Sequence, residues 1–104
     1  MLEPDRLYRF RVRLSDECRH TFVGKLLRQS PGRLTLQRLT SEGEPYGRFQ
    51  KDGTFVEEVK VYVVAETDVL AFKPLVMDLH YGALVPEEKL SHQHHALMAK
   101  VRKA

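Results

Sequence analysis

The stretch YRFRVRLS, Tyr8–Ser15, decides the fold class of this 104-residue chain. Its apolar residues stand at every second position, namely Tyr8, Phe10, Val12 and Leu14. The positions between them hold Arg9, Arg11 and Arg13. Period two is the spacing of a strand that buries one face. The stretch therefore predicts a strand with an apolar inner face and a basic outer face.

The pattern of short apolar segments and turn residues continues downstream. It predicts strands at Thr21–Arg28, Arg33–Leu39, Val56–Ala65, Val69–Lys73 and Leu75–Tyr81. Residues 16–20 are polar and predict a hairpin loop, and Pro74 is expected to end the fifth strand because it has no backbone donor. Gly24 predicts a bulge, a bend or a close backbone approach. Residues 40–54 predict either a long functional loop or a protruding hairpin in which Tyr46 pairs with Phe49.

The chain is expected to end in a helix. Pro86 is followed by Glu87 and Glu88, an order typical of a helix start. One helical face is apolar, with Leu90, Leu97, Met98 and Val101. We therefore expect one domain over residues 1–104, with a β-barrel over 8–81 and a C-terminal α-helix over 86–103.

Composition excludes several classes of protein. Charged residues make up 30% of the chain, no apolar run is long enough to cross a bilayer, and no secretory signal is visible. The single cysteine, Cys18, excludes an internal disulfide, so we expect a cytoplasmic protein without membrane association. Ile and Asn are absent. This absence predicts a GC-rich genome and a thermophile source, since Asn is thermolabile.

The order of strands and turns resembles the Sm-like family of small barrels. The matching segments of the first motif are Val12–Asp16, Phe22–Leu26 and Leu34–Leu36, and those of the second are Val61–Ala65 and Val69–Phe72. The resemblance covers residues 8–73. It implies a mainly β fold, a small, strongly bent, five- to six-stranded antiparallel barrel of the Sm-like or Src-homology-3-like type. The family's RNA-contact motifs are not matched, because Gln29–Arg33 and Ala65-Glu66 stand at those positions.

No catalytic or cofactor motif is legible, and we expect a non-enzymatic protein without a cofactor. Cys18 and His20 lack the framework that a nucleophile requires. His92 and His95 are three residues apart on the expected helix, an incomplete metal site that more simply belongs to a solvated helix face. Metal binding is therefore not predicted.

The basic residues give the best functional candidate. Residues 1–51 carry a net charge of +5 (11 Lys and Arg against 6 Asp and Glu), and residues 52–104 carry −2. Cations interleaved with aromatic residues are typical of a single-stranded nucleic acid surface. The predicted contact residues are Arg9, Arg11, Arg13, Lys25, Arg33, Arg48, Lys51, Tyr46 and Phe49, with RNA or single-stranded DNA as the partner. The same charges also suit a solvated surface that pairs with acids across strands.

The alternative function is protein interaction or oligomerisation through a sheet edge or the C-terminal helix. An open sheet edge offers unpaired backbone groups to another chain. The opposite charges of the two halves also suit contacts between copies. We therefore expect a homo-oligomer, with a further protein partner as the second possibility.

Overall fold

The structure is a computed structural model, and it describes residues 2–80 and 82–89. Within these residues it consists mainly of β-strands. The strands are β1 (Leu7–Ser15), β2 (Cys18–Ser30), β3 (Arg33–Leu39), β4 (Gly47–Phe49), β5 (Phe55–Glu57), β6 (Lys60–Ala65), β7 (Val69–Asp78) and β8 (Ala83–Pro86). A 3-10 turn, Glu66–Asp68, joins β6 to β7. The predicted mainly β fold is confirmed.

Six strands form one antiparallel sheet in the order β6-β3-β2-β1-β7-β8. The first and last strands of this order are not hydrogen-bonded to each other, so the closed barrel that we predicted is wrong. The cause lies in β7. Its residues from Val69 to Pro74 pair with β1, but Leu75–Asp78 pair with β8. The sheet is thereby extended by one strand instead of closing on β6.

The inner face of β1 alternates as predicted at Tyr8, Phe10 and Val12, which are at most 1% exposed. They form the main core with side chains from the neighbouring strands: Phe22, Leu26, Leu34, Leu36 and Val64. The predicted burial of Leu14 is wrong, since 47% of this residue is exposed. Leu14 lies at the end of β1, where the register between Arg13 and Ser15 is irregular.

The first hairpin is tighter than predicted. Asp16 and Glu17 form the turn, and β2 begins at Cys18, so a loop over residues 16–20 is wrong. Arg19 and His20 are polar, but they pair with Arg13 and Val12 in the β1–β2 ladder. Arg19 lies on the solvent-facing side of the strand, whereas His20 lies on the core side, where its ring stacks on Phe22.

Residues 40–57 contain a protruding hairpin, the second of the two predicted possibilities. Its strands β4 and β5 form a separate two-stranded sheet in which Phe49 pairs with Phe55, not with Tyr46. The predicted single strand Val56–Ala65 is consequently wrong, because β5 pairs with β4 and β6 pairs with β3. The change of partner falls at residues 58–59, between the two strands.

The strand break predicted at Pro74 is also wrong. β7 runs through Pro74 to Asp78, and Pro74 stands where pairing passes from β1 to β8. A missing donor is tolerated at such a position better than in the middle of a ladder. Pro86 ends β8, and helical backbone is present at Glu87–Lys89. The remainder of the predicted helix, including the apolar face from Leu90 onward, lies outside the described residues.

The sheet buries apolar side chains on both faces. Val23 is adjacent to the core residue Phe22 and therefore points to the opposite face. There it packs with Leu39 and Leu75, and Leu7 and Leu84 lie against this second cluster. Most of the remaining side chains on this second face of β1 are basic, which leaves a cationic surface beside a covered apolar patch.

Candidate nucleic-acid interface

We call the second face of strands β1, β2 and β7 the basic face. Arg9, Arg11 and Arg13 project from β1 on this side, since their neighbours Tyr8, Phe10 and Val12 fill the core. The antiparallel register places further cations beside them. The cations of the basic face are Arg9, Arg11, Arg13, Arg19, Lys25 and Lys73.

Two cross-strand pairs on the basic face join like charges. Arg13 lies directly opposite Arg19, and Arg9 lies directly opposite Lys73. Like charges in this position destabilise a sheet. The positive charge of Lys73 is partly compensated by the Glu88 carboxylate, with 3.8 Å between Lys73 Nζ and Glu88 Oε1. In the described part of the chain, ion pairs are formed by Arg6 and Lys73, and none is formed by Arg9, Arg11 or Arg13.

The other predicted contact residues are spread over the molecule. Lys25 lies on the basic face opposite Leu7, but Arg33 lies at the β2–β3 turn, at the far end of β2 from Arg19. Arg48 and Phe49 are on β4, and Lys51 is in the turn of the hairpin. Phe49 is 75% exposed, and its ring centroid is 5.1 Å from that of Phe55. The sequence pattern thus combined two separate surfaces, the basic face and the hairpin.

Tyr46 lies at the root of the hairpin, where cations surround its ring. Lys60 Nζ is 4.4 Å from the ring centroid, and the Arg38 guanidinium carbon is 5.8 Å from it. These distances are typical of cation–π contacts. The Tyr46 ring therefore holds the loop that leaves β3 against Arg38 and Lys60.

Arg38 and two other cations were missed by sequence reasoning. Arg38 Nη1 donates a hydrogen bond to the Tyr62 hydroxyl at 3.2 Å, which raises the pKa of Arg38. Arg38 is half-buried, and its Nε atom is buried without a hydrogen-bond partner in the described residues. Arg19 could have been found from the register of β1 with β2, had the short turn at Asp16 been recognised. The position of Lys73 depends on the pairing of β1 with β7, which are distant in sequence.

The histidines and the cysteine form no site in the described residues. Cys18 is exposed, and the His20 ring stacks on Phe22 with 5.6 Å between centroids. No group of three His, Cys, Asp or Glu suited to a metal ion is present in residues 2–80 and 82–89. The predicted partial pair, His92 and His95, lies outside the described part of the chain.

Comparison with known proteins gives no relative. The chain matches no protein-family model, no curated protein and no solved structure. Within the described residues, no helix has the length and the hydropathy needed to cross a membrane. The geometry and charge of the basic face are therefore the features of this chain that indicate a function.

Proposed function

We propose that the protein is a non-enzymatic binding module that contacts RNA or single-stranded DNA through the basic face. The observation that carries this proposal is the row Arg9, Arg11 and Arg13, which is exposed, forms no ion pair in the described residues and faces further cations across the strands. A phosphate backbone would neutralise the like charges that otherwise destabilise the sheet.

The architecture supports an Sm-like or Src-homology-3-like relationship as part of the proposal. Five strands follow one another in the order β6-β3-β2-β1-β7, and only a 3-10 turn separates β6 from β7. The sheet is open, and the RNA-contact motifs of the Sm-like family are not matched. We therefore assign the proposed contacts to the outer basic face and not to a family pocket.

Salt dependence of binding tests the proposal. The triple variant Arg9→Gln, Arg11→Gln, Arg13→Gln removes three cations, and each phosphate contact to a single strand contributes about 0.7 to the slope of log K against log salt. The slope should become shallower by about 2. Between about 50 and 200 mM salt, the wild type should then lose about 20-fold more affinity than the variant. Fluorescence anisotropy with labelled RNA and DNA strands of about 12 nucleotides measures both slopes.

A matched control keeps the change in net charge constant. Replacing Arg33, Arg48 and Lys51 by Gln also removes three cations, but none of these residues lies on β1. This control should retain most of the wild-type slope. Equal losses in the two triple variants would contradict a specific basic face, and a wild type that binds neither strand at low salt would refute the proposed function.

A second candidate, self-association, is favoured by the edge strand β6. In the described residues β6 pairs only with β3. One exposed valine, Val59, directly precedes β6, and two more, Val61 and Val63, lie on it. An unpaired edge with exposed apolar side chains is suited to strand addition. The three valines are symmetric about Val61, so we propose that a second copy pairs antiparallel through β6 about a two-fold axis.

The oligomeric state tests this second candidate. Light scattering over a range of concentrations should show a dimer for the wild type and a monomer for Val61→Lys, because the lysine introduces like charges at the two-fold axis. The control is Leu79→Lys, which changes a 91% exposed residue outside β6 and should remain dimeric. A monomeric wild type, or a dimeric Val61→Lys variant, would contradict pairing through β6.

A further inference from the structure

A groove opens where β3 ends beside β2. Pairing between these strands begins at Val23 and Leu39, so in the described residues the preceding part of β2, Cys18–Phe22, has a partner only on its β1 side. The groove has a volume of about 360 Å³. Val23 and Leu39 line it with apolar surface, and the loop after β3 contributes Ser41 and Tyr46.

Two arginines, Arg9 and Arg38, are among the residues that line the same groove. No carboxylate is among the lining residues, and neither arginine forms an ion pair in the described part of the chain. Arginine stays protonated under all ordinary conditions. The buried Arg38 Nε atom is a donor that the described protein groups leave unused. The groove therefore combines space with two positive charges and one unused hydrogen-bond donor.

The remaining lining groups narrow the class of anion. Guanidinium groups favour phosphate, with which they form paired hydrogen bonds. Thr21 and Ser41, which carry hydroxyl groups, and Tyr46, which carries an aromatic ring, are further lining residues. A concave, partly apolar site of a few hundred Å³ with few polar groups is typical of small-ligand binding.

We propose that this groove binds one nucleotide, with its phosphate at Arg9 and Arg38 and its base against Tyr46, Val23 and Leu39. The identification of that nucleotide as part of a nucleic acid strand rests on the proposed function. A free nucleoside monophosphate offers the same chemistry. The groove adjoins the basic face at Arg9, so a strand on that face would reach a point at which a base, and not only the phosphate backbone, is contacted.

Arg9 and Arg13 provide a matched pair for the test. Both are exposed residues on the same side of β1, but only Arg9 lines the groove. Calorimetric titration should show binding of uridine or adenosine monophosphate by the wild type. Arg9→Gln should weaken it about tenfold or more through loss of a charge-assisted hydrogen bond, and Arg13→Gln should change it less than about twofold. Equal thermal unfolding midpoints verify that both variants fold.

Parallel titrations with inorganic phosphate and with a single strand of about 12 nucleotides separate this inference from the proposed function. If the strand binds but the monophosphates do not, and both variants lose equal affinity for the strand, the groove assignment is overturned and the basic face stands. If the monophosphates bind and depend on Arg9 but the strand does not bind, the groove is supported and the proposed function fails. Inorganic phosphate bound as tightly as a monophosphate would overturn recognition of the base.

Discussion

Replacing Arg19 by Glu should stabilise the fold while it weakens binding to a polyanion. Arg19 stands opposite Arg13 in the β1–β2 ladder, and both residues are exposed. The turn residues Asp16 and Glu17 form no ion pair with either arginine in the described part of the chain. The substitution changes a repulsive cross-strand pair into an attractive one at a position without a role in the core.

The magnitude follows from the separation of paired residues in a sheet. Two unit charges about 5.5 Å apart in water interact by about 0.75 kcal/mol, so reversal of one sign changes the pair energy by about 1.5 kcal/mol. Screening reduces this value, and cross-strand pairs contribute about 0.2–1 kcal/mol each, so we expect a net gain of about 0.5–1 kcal/mol. Such a gain corresponds to a rise of about 2–8 °C in Tm for a domain of this size.

Urea denaturation at low and high salt measures this gain. Arg19→Gln serves as the control, since it removes the repulsion without adding an attraction and should give about half of the gain. The gain in stability should shrink at high salt, because salt screens the charges. It should disappear when Arg13 is also replaced by Gln, because residue 19 then has no charged partner across the strands. An Arg19→Glu variant no more stable than Arg19→Gln, or a gain that survives the loss of Arg13, would refute the reasoning.

Two further predictions concern the sheet and the hairpin. Gly24→Ala should lower the free energy of unfolding by about 2 kcal/mol or more, because its Cβ would lie 2.5 Å from the Gln37 carbonyl oxygen within the β2–β3 ladder. Gly32→Ala meets no atom within 4 Å and should cost only about 1 kcal/mol of left-handed strain, so an equal loss in urea denaturation would contradict this account. Thr54 N–H donates to Asp52 Oδ1 at 2.9 Å, which holds the pKa of Asp52 below its ordinary value. The stability that this hydrogen bond contributes is present above the ordinary pKa of an aspartate and is lost as pH falls through the lowered pKa of Asp52. The Thr54 amide resonance should therefore titrate with a midpoint below pH 3.8, and a higher midpoint would contradict this assignment.

Local alternation was sufficient to predict the first strand and its two faces. The bounds of β3, Arg33–Leu39, were also predicted correctly, since a Pro-Gly turn precedes it and alternation continues through it. Of the three possibilities raised for Gly24, the structure selects a close backbone approach, to Gln37. These features depend on residues within one strand or its nearest neighbour, and local sequence contains that information.

The choice of strand partners could not be predicted in the same way. An apolar segment shows that a strand forms, but not which strand it pairs with, because pairing depends on residues distant in sequence. The single segment Val56–Ala65 is therefore divided between two sheets. Likewise β7 pairs with two strands in succession, which carries it past Pro74 and leaves the barrel open.

The candidate site follows the same division between local and distant information. The outward direction of Arg9, Arg11 and Arg13 is a consequence of alternation alone. The contribution of Arg19 depends on the length of one turn, and that of Arg38 depends on the loop that places Tyr46 beside it. A surface assembled across strands needs the register, so sequence reasoning located its centre and misplaced its outlying members.

The repulsion found on the basic face implies a link between stability and binding. Arg13 and Arg19 are like charges in directly opposite positions, so the pair lowers the stability of the free protein. Phosphate groups bound at the basic face would relieve this repulsion. A ligand that binds only the folded state at 100 times its Kd adds about 2.7 kcal/mol to stability. Addition of a single nucleic acid strand should therefore raise the Tm of the wild type more than it raises the Tm of the Arg19→Glu variant. The variant has already lost the repulsion that the phosphates would remove.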